Sequence, residues 1–401
     1  MRKICHRAAA LVLAVLLLCG AWWGAGAALP DTFTLAPDTA LELCALPFIT
    51  VRRAPAALAR AGRVQQDSSQ NCTLALFGVL PLKTVRTISA QRRSVQVCGA
   101  PFGIKMFSSG ALVVAFSDQY TIFGAENPAK EAGLRLGDVI VSAGGRTVRA
   151  NEELTQAITA AGGQPLQIVY LREGQQHSCT LTPVADRSTG AWRAGIWVRD
   201  SSAGIGTLTF TDPSHGTFAG LGHAISDTDT GADLPLLSGE IVSVTITGSV
   251  RGTAGVPGEL RGEFGGATLG TVRANDTTGV YGSLSGGIDG QSYPLANIQE
   301  VELGDAQILT TVLGSAPKTY AVRIERVNMT AGDPNRNLLL RVTDPDLLDA
   351  TGGIVQGMSG SPILQNGRLV GAVTHVLVND PTRGYGIFAA TMLEKADAVA
   401  G

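Results

Sequence analysis

The sequence contains few aromatic residues, few charged residues and few histidines. Aromatic residues make up 5% and charged residues 16% of its 401 positions, and the formal net charge is −2. So small a charge excludes the basic field that nucleic-acid-binding proteins carry, and we expect no nucleic-acid partner. Neither an HExxH pattern nor a CxxC motif occurs, so we predict no metal centre and no cofactor. Five histidines leave a short list of possible catalytic bases.

Cysteine is also scarce, and two of the six cysteines lie near the N-terminus. The other four are spread over the rest of the chain, at Cys44, Cys72, Cys98 and Cys179. Outside the cytosol these four could form two disulfides, with three possible pairings. Free buried thiols are the alternative, and the sequence leaves both open.

Glycine and aliphatic residues are abundant instead. The chain has 50 glycines, and hydrophobic residues make up 45% of it, enough to build large cores and to exclude global disorder. Many glycines among Val, Thr and Ile are typical of short strands joined by tight turns. The sequence therefore predicts a mainly β protein of two or three domains.

The N-terminus has the pattern of an export signal. Basic residues precede Ala8–Ala28, a run of 21 residues without a charge, which is about the length that spans a bilayer. We predict a hydrophobic helix within residues 1–28 that is either a signal peptide or a membrane anchor. Ala25-Gly26-Ala27 resembles a cleavage site, whereas Trp22 and Trp23 suit a membrane interface, so both readings stay open.

Three further regions follow. Residues 29–95 are weakly patterned and are interpreted as a connector or small accessory region. Residues 96–185 alternate strands with short helices, and the helix predicted over Glu152–Ala161 has one apolar face. Residues 186–401 are rich in glycine and in short strand patterns, which indicates an all-β barrel or sandwich.

The strongest chemical signal is Gly357-Met358-Ser359-Gly360-Ser361-Pro362. A serine hydroxyl becomes a useful nucleophile only beside a base and beside backbone N–H groups that bind the oxyanion. We predict Ser359 as the nucleophile and the amides of Gly357 and Ser359 as the oxyanion hole. The Asn366-Gly367 hairpin that follows favours this reading over a plain Gly/Ser turn, because such a hairpin borders the specificity pocket in chymotrypsin-like proteases.

The base and its orienting carboxylate are harder to choose. His223 follows a predicted strand and is crowded by small residues, so it is the preferred base. We interpret His215 as an exposed turn residue and His375 as structural. Five carboxylates could orient the imidazole, and their spacing alone does not decide between Asp227, Asp229, Asp233, Asp344 and Asp346.

The pattern over residues 96–185 resembles a PDZ domain of the bacterial protease type. Pro128, Ala132-Gly133-Leu134, Leu136-Gly137-Asp138-Val139-Ile140 and Gly144-Gly145 carry this resemblance. It implies binding of peptide C-termini or internal segments as an added strand. The peptide-binding loop and edge would be Phe102, Gly103, Ile104, Lys105 and Met106.

The whole chain resembles the SpoIVB peptidase family of sporulating bacteria. The resemblance rests on Gly220–Asp227, Thr343-Asp344, Thr351–Pro362 and Gly371–Gly386, and on the order of the regions. It implies a PDZ domain followed by a chymotrypsin-like double β-barrel serine peptidase domain. It also implies a triad of His223, Asp344 and Ser359, and self-cleavage near the N-terminus.

This resemblance further implies a setting and a substrate. The protein would be exported to the forespore membrane or the space between the two membranes, either anchored or released. There it would cleave a membrane-bound regulator, releasing an intramembrane metalloprotease that processes a sigma factor. Two alternatives remain: a non-catalytic PDZ scaffold that senses the envelope, and a general envelope quality-control protease.

Overall fold

The structure is a computed structural model that describes residues 20, 22, 24–53, 69–227, 229–288 and 290–400. Strands dominate it, which confirms the prediction of a mainly β protein. No helix among these residues is long and apolar enough to cross a membrane. Most of the predicted hydrophobic helix in residues 1–28 lies outside the described residues.

A small sheet follows the N-terminal segment. Its strands run in the order β1-β4-β3-β2, and β1 pairs with β4 in parallel. Leu29, Phe33, Leu74 and Val85 form its buried core. The region interpreted as a connector or accessory region therefore has a sheet and a core of its own. The strands are β1 Thr32–Leu35, β2 Ile49–Arg53, β3 Ser69–Leu76 and β4 Leu80–Ser89.

A PDZ-like unit comes next, built on the second half of a long strand, β6. Its sheet has the order β12-β11-β9-β6, and the helix Asn151–Ala161 buries Leu154, Ala157 and Ile158 against it. Asn127 begins the short helix before β9, because its side chain accepts a hydrogen bond from the N–H of Lys130. The elements are β5 Ser94–Val97, β6 Pro101–Phe116, β7 Gln119–Thr121, β8 Gly124–Glu126, α1 Pro128–Glu131, β9 Val139–Ala143, β10 Arg146–Thr147, α2 Asn151–Ala161, β11 Leu166–Arg172, β12 Gln175–Leu181, β13 Val184–Ala185 and β14 Trp192–Arg193.

A first ring of six strands is closed around the start of β6. The order is β6-β17-β18-β19-β16-β15, and β15 pairs again with β6. Since β6 precedes the PDZ-like unit and β15 leaves it, that unit is inserted into the ring. The elements are β15 Ile196–Asp212, β16 Thr217–Gly220, β17 Leu236–Val250, β18 Glu259–Asp276, β19 Gly279–Leu284 and β20 Gln291–Pro294.

This ring corrects one prediction from the sequence. Residues 102–106, predicted as the PDZ peptide-binding loop, are part of β6 and pair with β15 on one side and with β17 on the other. Phe102, Ile104 and Met106 are buried in the first ring. Gly103 and Lys105 occupy the same doubly paired stretch, so no edge is free for a peptide. The predicted loop is therefore wrong, because burial and pairing use both edges of this segment.

A second ring is a closed barrel of six strands in the order β21-β22-β23-β26-β25-β24. The predicted hairpin at Asn366-Gly367 is confirmed, with both residues at positive φ between β24 and β25. The elements are β21 Gly304–Thr310, β22 Lys318–Val327, β23 Leu338–Val342, α3 Pro345–Thr351, β24 Pro362–Gln365, β25 Arg368–Leu377, β26 Asp380–Phe388 and α4 Ala389–Ala400, with 3₁₀ turns at Ile298–Glu300 and Pro334–Arg336.

The four described cysteines are free thiols. Of the two alternatives that the sequence left open, the structure therefore shows the unpaired one. Burial raises the pKa of Cys98 to about 12, so this thiol stays protonated and behaves as a small apolar core residue.

Candidate active site

The loop that carries Ser359 is fixed on the first ring although it belongs to the second. Thr207 of β15 donates its N–H to the carbonyl of Ser359 and its hydroxyl to the carbonyl of Gly357, both at 2.9 Å. Gly360 has φ +95°, and a Cβ there would lie 1.9 Å from the carbonyl oxygen of Thr207. Only glycine fits this position, since a side chain would collide with the backbone of β15.

Two amides of this loop are left without an acceptor. The N–H of Met358 is bonded to Val355 and that of Gly360 to Val373, whereas those of Gly357 and Ser359 have no acceptor among the residues that the structure describes. Buried backbone donors are normally paired. Two unpaired amides on either side of Met358 are what an oxyanion hole requires, and they are the two that the sequence predicted.

His223 lies in the turn that follows β16 of the first ring. Leu221 and Gly222 precede it with φ of +65° and +74°, and a Cβ at Gly222 would lie 3.0 Å from the side chain of Thr374 of β25. The His223 Nδ1 lies 2.7 Å from the carbonyl of Ala224, which places the proton on Nδ1 and leaves Nε2 as the acceptor. Burial lowers the pKa of His223, and the Ala224 carbonyl and the charge of Asp233 oppose that shift.

His223 and Ser359 meet at one short stretch of β25, residues 374–375. The Ser359 hydroxyl donates to the carbonyl of Thr374 at 2.6 Å. The His375 ring lies 4.6 Å, centroid to centroid, from the ring of His223 and is tilted by 32° to it. Desolvation and the neighbouring His223 lower the pKa of His375, so this ring is neutral at neutral pH. His375, interpreted from the sequence as structural, is thus part of the candidate site.

Asp344 is not brought to the imidazole. One of its carboxylate oxygens accepts hydrogen bonds from the N–H groups of Asp346 and Leu347, and the other accepts from that of Ala321. Asp344 is therefore the N-cap of α3. The hydrogen bond to His223 that the family resemblance implies is not formed in this structure, because the carboxylate is already occupied by three backbone amides.

The remaining carboxylates have other partners. Asp227 and Asp229 both bind the guanidinium of Arg199, which also lies on β15. Asp233 accepts from the hydroxyl of Ser226 at 2.7 Å, and its charge acts on His223 without a hydrogen bond between them. Asp346, the fifth candidate, is exposed.

His215 lies in a separate turn, as predicted, and takes part in a cluster of charged side chains there. His215 Nδ1 lies 2.9 Å from a carboxylate oxygen of Asp212. Asp212 and Asp397 both bind the guanidinium of Arg93. These three side chains, Asp212, His215 and Asp397, are close enough to share a metal ion, but Arg93 already binds both carboxylates.

Thr207, Thr374 and His375 are site residues that the sequence did not indicate. Thr207 lies 152 positions before Ser359, and only the pairing of two rings brings them together. His375 was visible as a histidine near the nucleophile, and that proximity was the only signal.

Comparisons with known proteins identify two families in the chain. The family model of the SpoIVB peptidase S55 matches residues 190–393, just over half of the chain, and a PDZ domain model matches residues 109–182. RasP, a zinc metalloprotease of Geobacillus kaustophilus, is 35% identical over 65 residues, covering 16% of this chain and 15% of that protein. The serine protease HTRA1 of Xenopus laevis is 40% identical over 58 residues, covering 14% and 12%. The chain spans only 12 to 26% of the curated relatives that it matches.

Among solved structures, the Rv3671c protease of M. tuberculosis is 15% identical and has a TM-score of 0.32, covering 50% of this chain and 75% of that chain. The PDZ domain of an SdrC-like protein from Listeria monocytogenes is 21% identical, with a TM-score of 0.19, covering 22% and 87%. The match over residues 190–393 contains His223, Asp344 and Ser359. The chain therefore belongs to the SpoIVB peptidase S55 family and carries a PDZ domain.

Proposed function

We propose that this protein is an endopeptidase that cuts a membrane-bound regulator, with Ser359 as nucleophile and His223 as base. The observation that carries the proposal is the pair of unpaired amides, Gly357 and Ser359, beside a serine whose loop is anchored to the ring that holds His223. An acyl-transfer serine needs N–H donors of this kind beside it to bind the oxyanion.

The reaction is an acyl transfer. His223 Nε2 takes the proton of Ser359 as Oγ attacks the peptide carbonyl carbon, and the amides of Gly357 and Ser359 bind the resulting oxyanion. His223 then donates that proton to the leaving amine, and the acyl-enzyme forms. Water repeats the cycle and releases the acid product. Removing one such oxyanion donor typically lowers kcat by about 10²–10³-fold.

The His223 imidazole is held by groups other than a carboxylate in this arrangement. The carbonyl of Ala224 fixes the tautomer, and the ring of His375 packs against the imidazole. We therefore assign His375 as a positioning residue. Asp344 is retained as a member of the predicted triad only if α3 moves, because its N-cap hydrogen bonds would first have to break.

In the described arrangement the Ser359 hydroxyl has a partner other than His223. The Ser359 hydroxyl donates to the Thr374 carbonyl and must turn to His223 before it can be deprotonated. A turn about χ1 between staggered positions is fast and needs no change of backbone. Substrate binding along β25 would compete for the Thr374 carbonyl and so favour this rotation.

The PDZ domain supplies a second contact with a protein substrate, at a different edge from the one predicted. The first residues of β15, 196–199, pair with β6 on one side and with no other described strand on the other. A cavity of about 410 Å³ lies between this free edge and α2, lined by Leu154, Thr155 and Ile158 of the helix. A peptide added to this edge as a strand would have its side chains beside the helix.

The biological setting is also part of the proposal. The family and the export pattern of residues 1–28 support action in the space around the forespore, anchored or released after self-cleavage. The substrate would be the regulator that restrains an intramembrane metalloprotease.

The test compares the parent chain with Ser359→Ala and Ser361→Ala. A fluorophosphonate should label the parent and Ser361→Ala but not Ser359→Ala, since Ser361 is buried and bonded to Thr310. Mass spectrometry of a co-expressed regulator should show one defined cut that Ser359→Ala abolishes. Absence of labelling in the parent would instead support a scaffold, and broad degradation of unfolded proteins would support a quality-control protease.

A further inference from the structure

The turn between β3 and β4 exposes large apolar side chains that no part of the described chain covers. Phe77 is 73% exposed, Val79 75% and Leu80 48%, and Phe48 beside them is 45% exposed. The rings of Phe48 and Phe77 lie 6.4 Å apart, so the four side chains form one cluster, here called the β3–β4 tip. Scattered exposed apolar residues are common in proteins, but a cluster of this kind marks an interaction surface.

The backbone of the tip argues that this cluster has a purpose. Phe77 has φ +49°, a conformation that glycine and asparagine adopt far more readily than a bulky residue. Its N–H is bonded to the carbonyl of Phe48, so the position is fixed by the fold. Neither core packing nor turn propensity explains a phenylalanine there, because the side chain is exposed and the conformation disfavours it.

The tip lies beside the place where the uncharged N-terminal run ends. Trp22 donates its indole N–H to the carbonyl of Pro81, next to Leu80. Lys83, two residues further along β4, donates to the carbonyl of Leu29 and pairs with Asp31. Trp22, Leu29 and Asp31 therefore lie along the start of β4, and residues 8–28 contain no charge.

We propose that the β3–β4 tip inserts into the interfacial layer of the lipid bilayer. The four side chains are wholly apolar, which suits the boundary between headgroups and acyl chains better than a specific polar partner. The neighbouring Trp22 is of the residue type that is enriched at membrane interfaces. The contact is a second attachment besides the N-terminal run, and it is independent of the catalytic proposal.

The test uses the full chain in vesicles of phosphatidylcholine and phosphatidylglycerol, with and without brominated phosphatidylcholine as a contact quencher. Val79→Trp places a reporter at the tip without the positive φ of Phe77. Gln156→Trp is the control, because Gln156 is an exposed polar residue on α2. Fluorescence is read as the difference from the parent chain.

We expect bromine to reduce the added emission of Val79→Trp by about twofold or more and to leave that of Gln156→Trp unchanged. Phe77→Asn, combined with Val79→Trp, should weaken the quenching while keeping or raising the Tm, since asparagine accepts this backbone conformation. Unquenched Val79→Trp, or equal quenching of both reporters, would overturn the proposal. A clear fall in Tm for Phe77→Asn would also overturn it, because the tip would then be structural.

Discussion

Each of the two six-stranded rings provides one side chain of the proposed catalytic pair, but the rings are built from the chain in different ways. The second ring uses residues 304–388 without interruption and provides Ser359. The first ring begins with β6, is interrupted by the PDZ-like unit, and is completed from β15 onward, where it provides His223. The strands of the second ring are close together in the sequence, whereas the first ring depends on contacts between segments that are far apart in the sequence.

This difference in how the rings are built shows that the candidate site is assembled along β15. β15 is the strand that leaves the PDZ-like unit, and Thr207 in its second half holds the nucleophile loop of the other ring. The strand thus runs from the proposed peptide edge at residues 196–199 to the backbone of Ser359. Three predictions test how closely the two rings depend on each other, and we give them in order of decreasing effect.

The largest effect is expected where the rings touch most closely. Gly360→Ala places a Cβ 1.9 Å from the carbonyl oxygen of Thr207, so the nucleophile loop must move away from β15. We expect kcat/KM for an ester substrate to fall by more than about 100-fold, because displacements near 1 Å have this cost.

Gly367→Ala is the matched control for that change. Gly367 also has a positive φ, +71°, but no atom lies within 4 Å of its added Cβ. Its activity should remain within about twofold of the parent, with only a modest fall in Tm. Similar losses in both variants would mean that general strain, and not contact between the rings, controls the site.

A smaller effect is expected at the histidine pair. Burial lowers the pKa of His223, so the base stays unprotonated below the ordinary histidine range and the acid limb of kcat/KM lies there too. His375→Ala exposes the imidazole to water, which should move the limb to higher pH and reduce kcat by about tenfold through looser positioning.

His375→Phe keeps a ring in contact with His223, and its acid limb should stay close to that of the parent. His215→Ala, in the separate turn cluster, should leave the pH profile unchanged. If the acid limb of kcat/KM is the same in His375→Ala and in the parent, the two six-stranded rings are not coupled through this pair of histidines.

The smallest effect concerns the unit inserted into the first ring. Thr155→Trp fills the cavity between α2 and β15 and should raise KM for the protein substrate by about tenfold while leaving ester hydrolysis unchanged. Gln156→Trp, an exposed neighbour that does not line the cavity, is the control. An equal rise in KM for both variants would place the peptide site elsewhere.

Sequence reasoning was most reliable where a residue pattern acts locally. The nucleophile loop and the Asn366-Gly367 hairpin follow from glycine positions and turn chemistry, and α2 begins one residue from its predicted start. It was wrong for residues 102–106, since an apolar strand that is paired on both edges has the same alternation as one with a free edge. Register and pairing partners are long-range properties, which a single strand pattern does not contain.

By itself the sequence determined the chemistry available to this protein. It indicated Ser359 in a glycine-rich loop as nucleophile, His223 as base, and a PDZ domain ahead of both. Only the tertiary structure decided that Thr374 lies beside Ser359 and His375 beside His223, because strand pairing and not sequence spacing brings these residues together. It also turned Asp344 to the start of a helix, where three backbone amides offer its carboxylate more hydrogen bonds than one imidazole could.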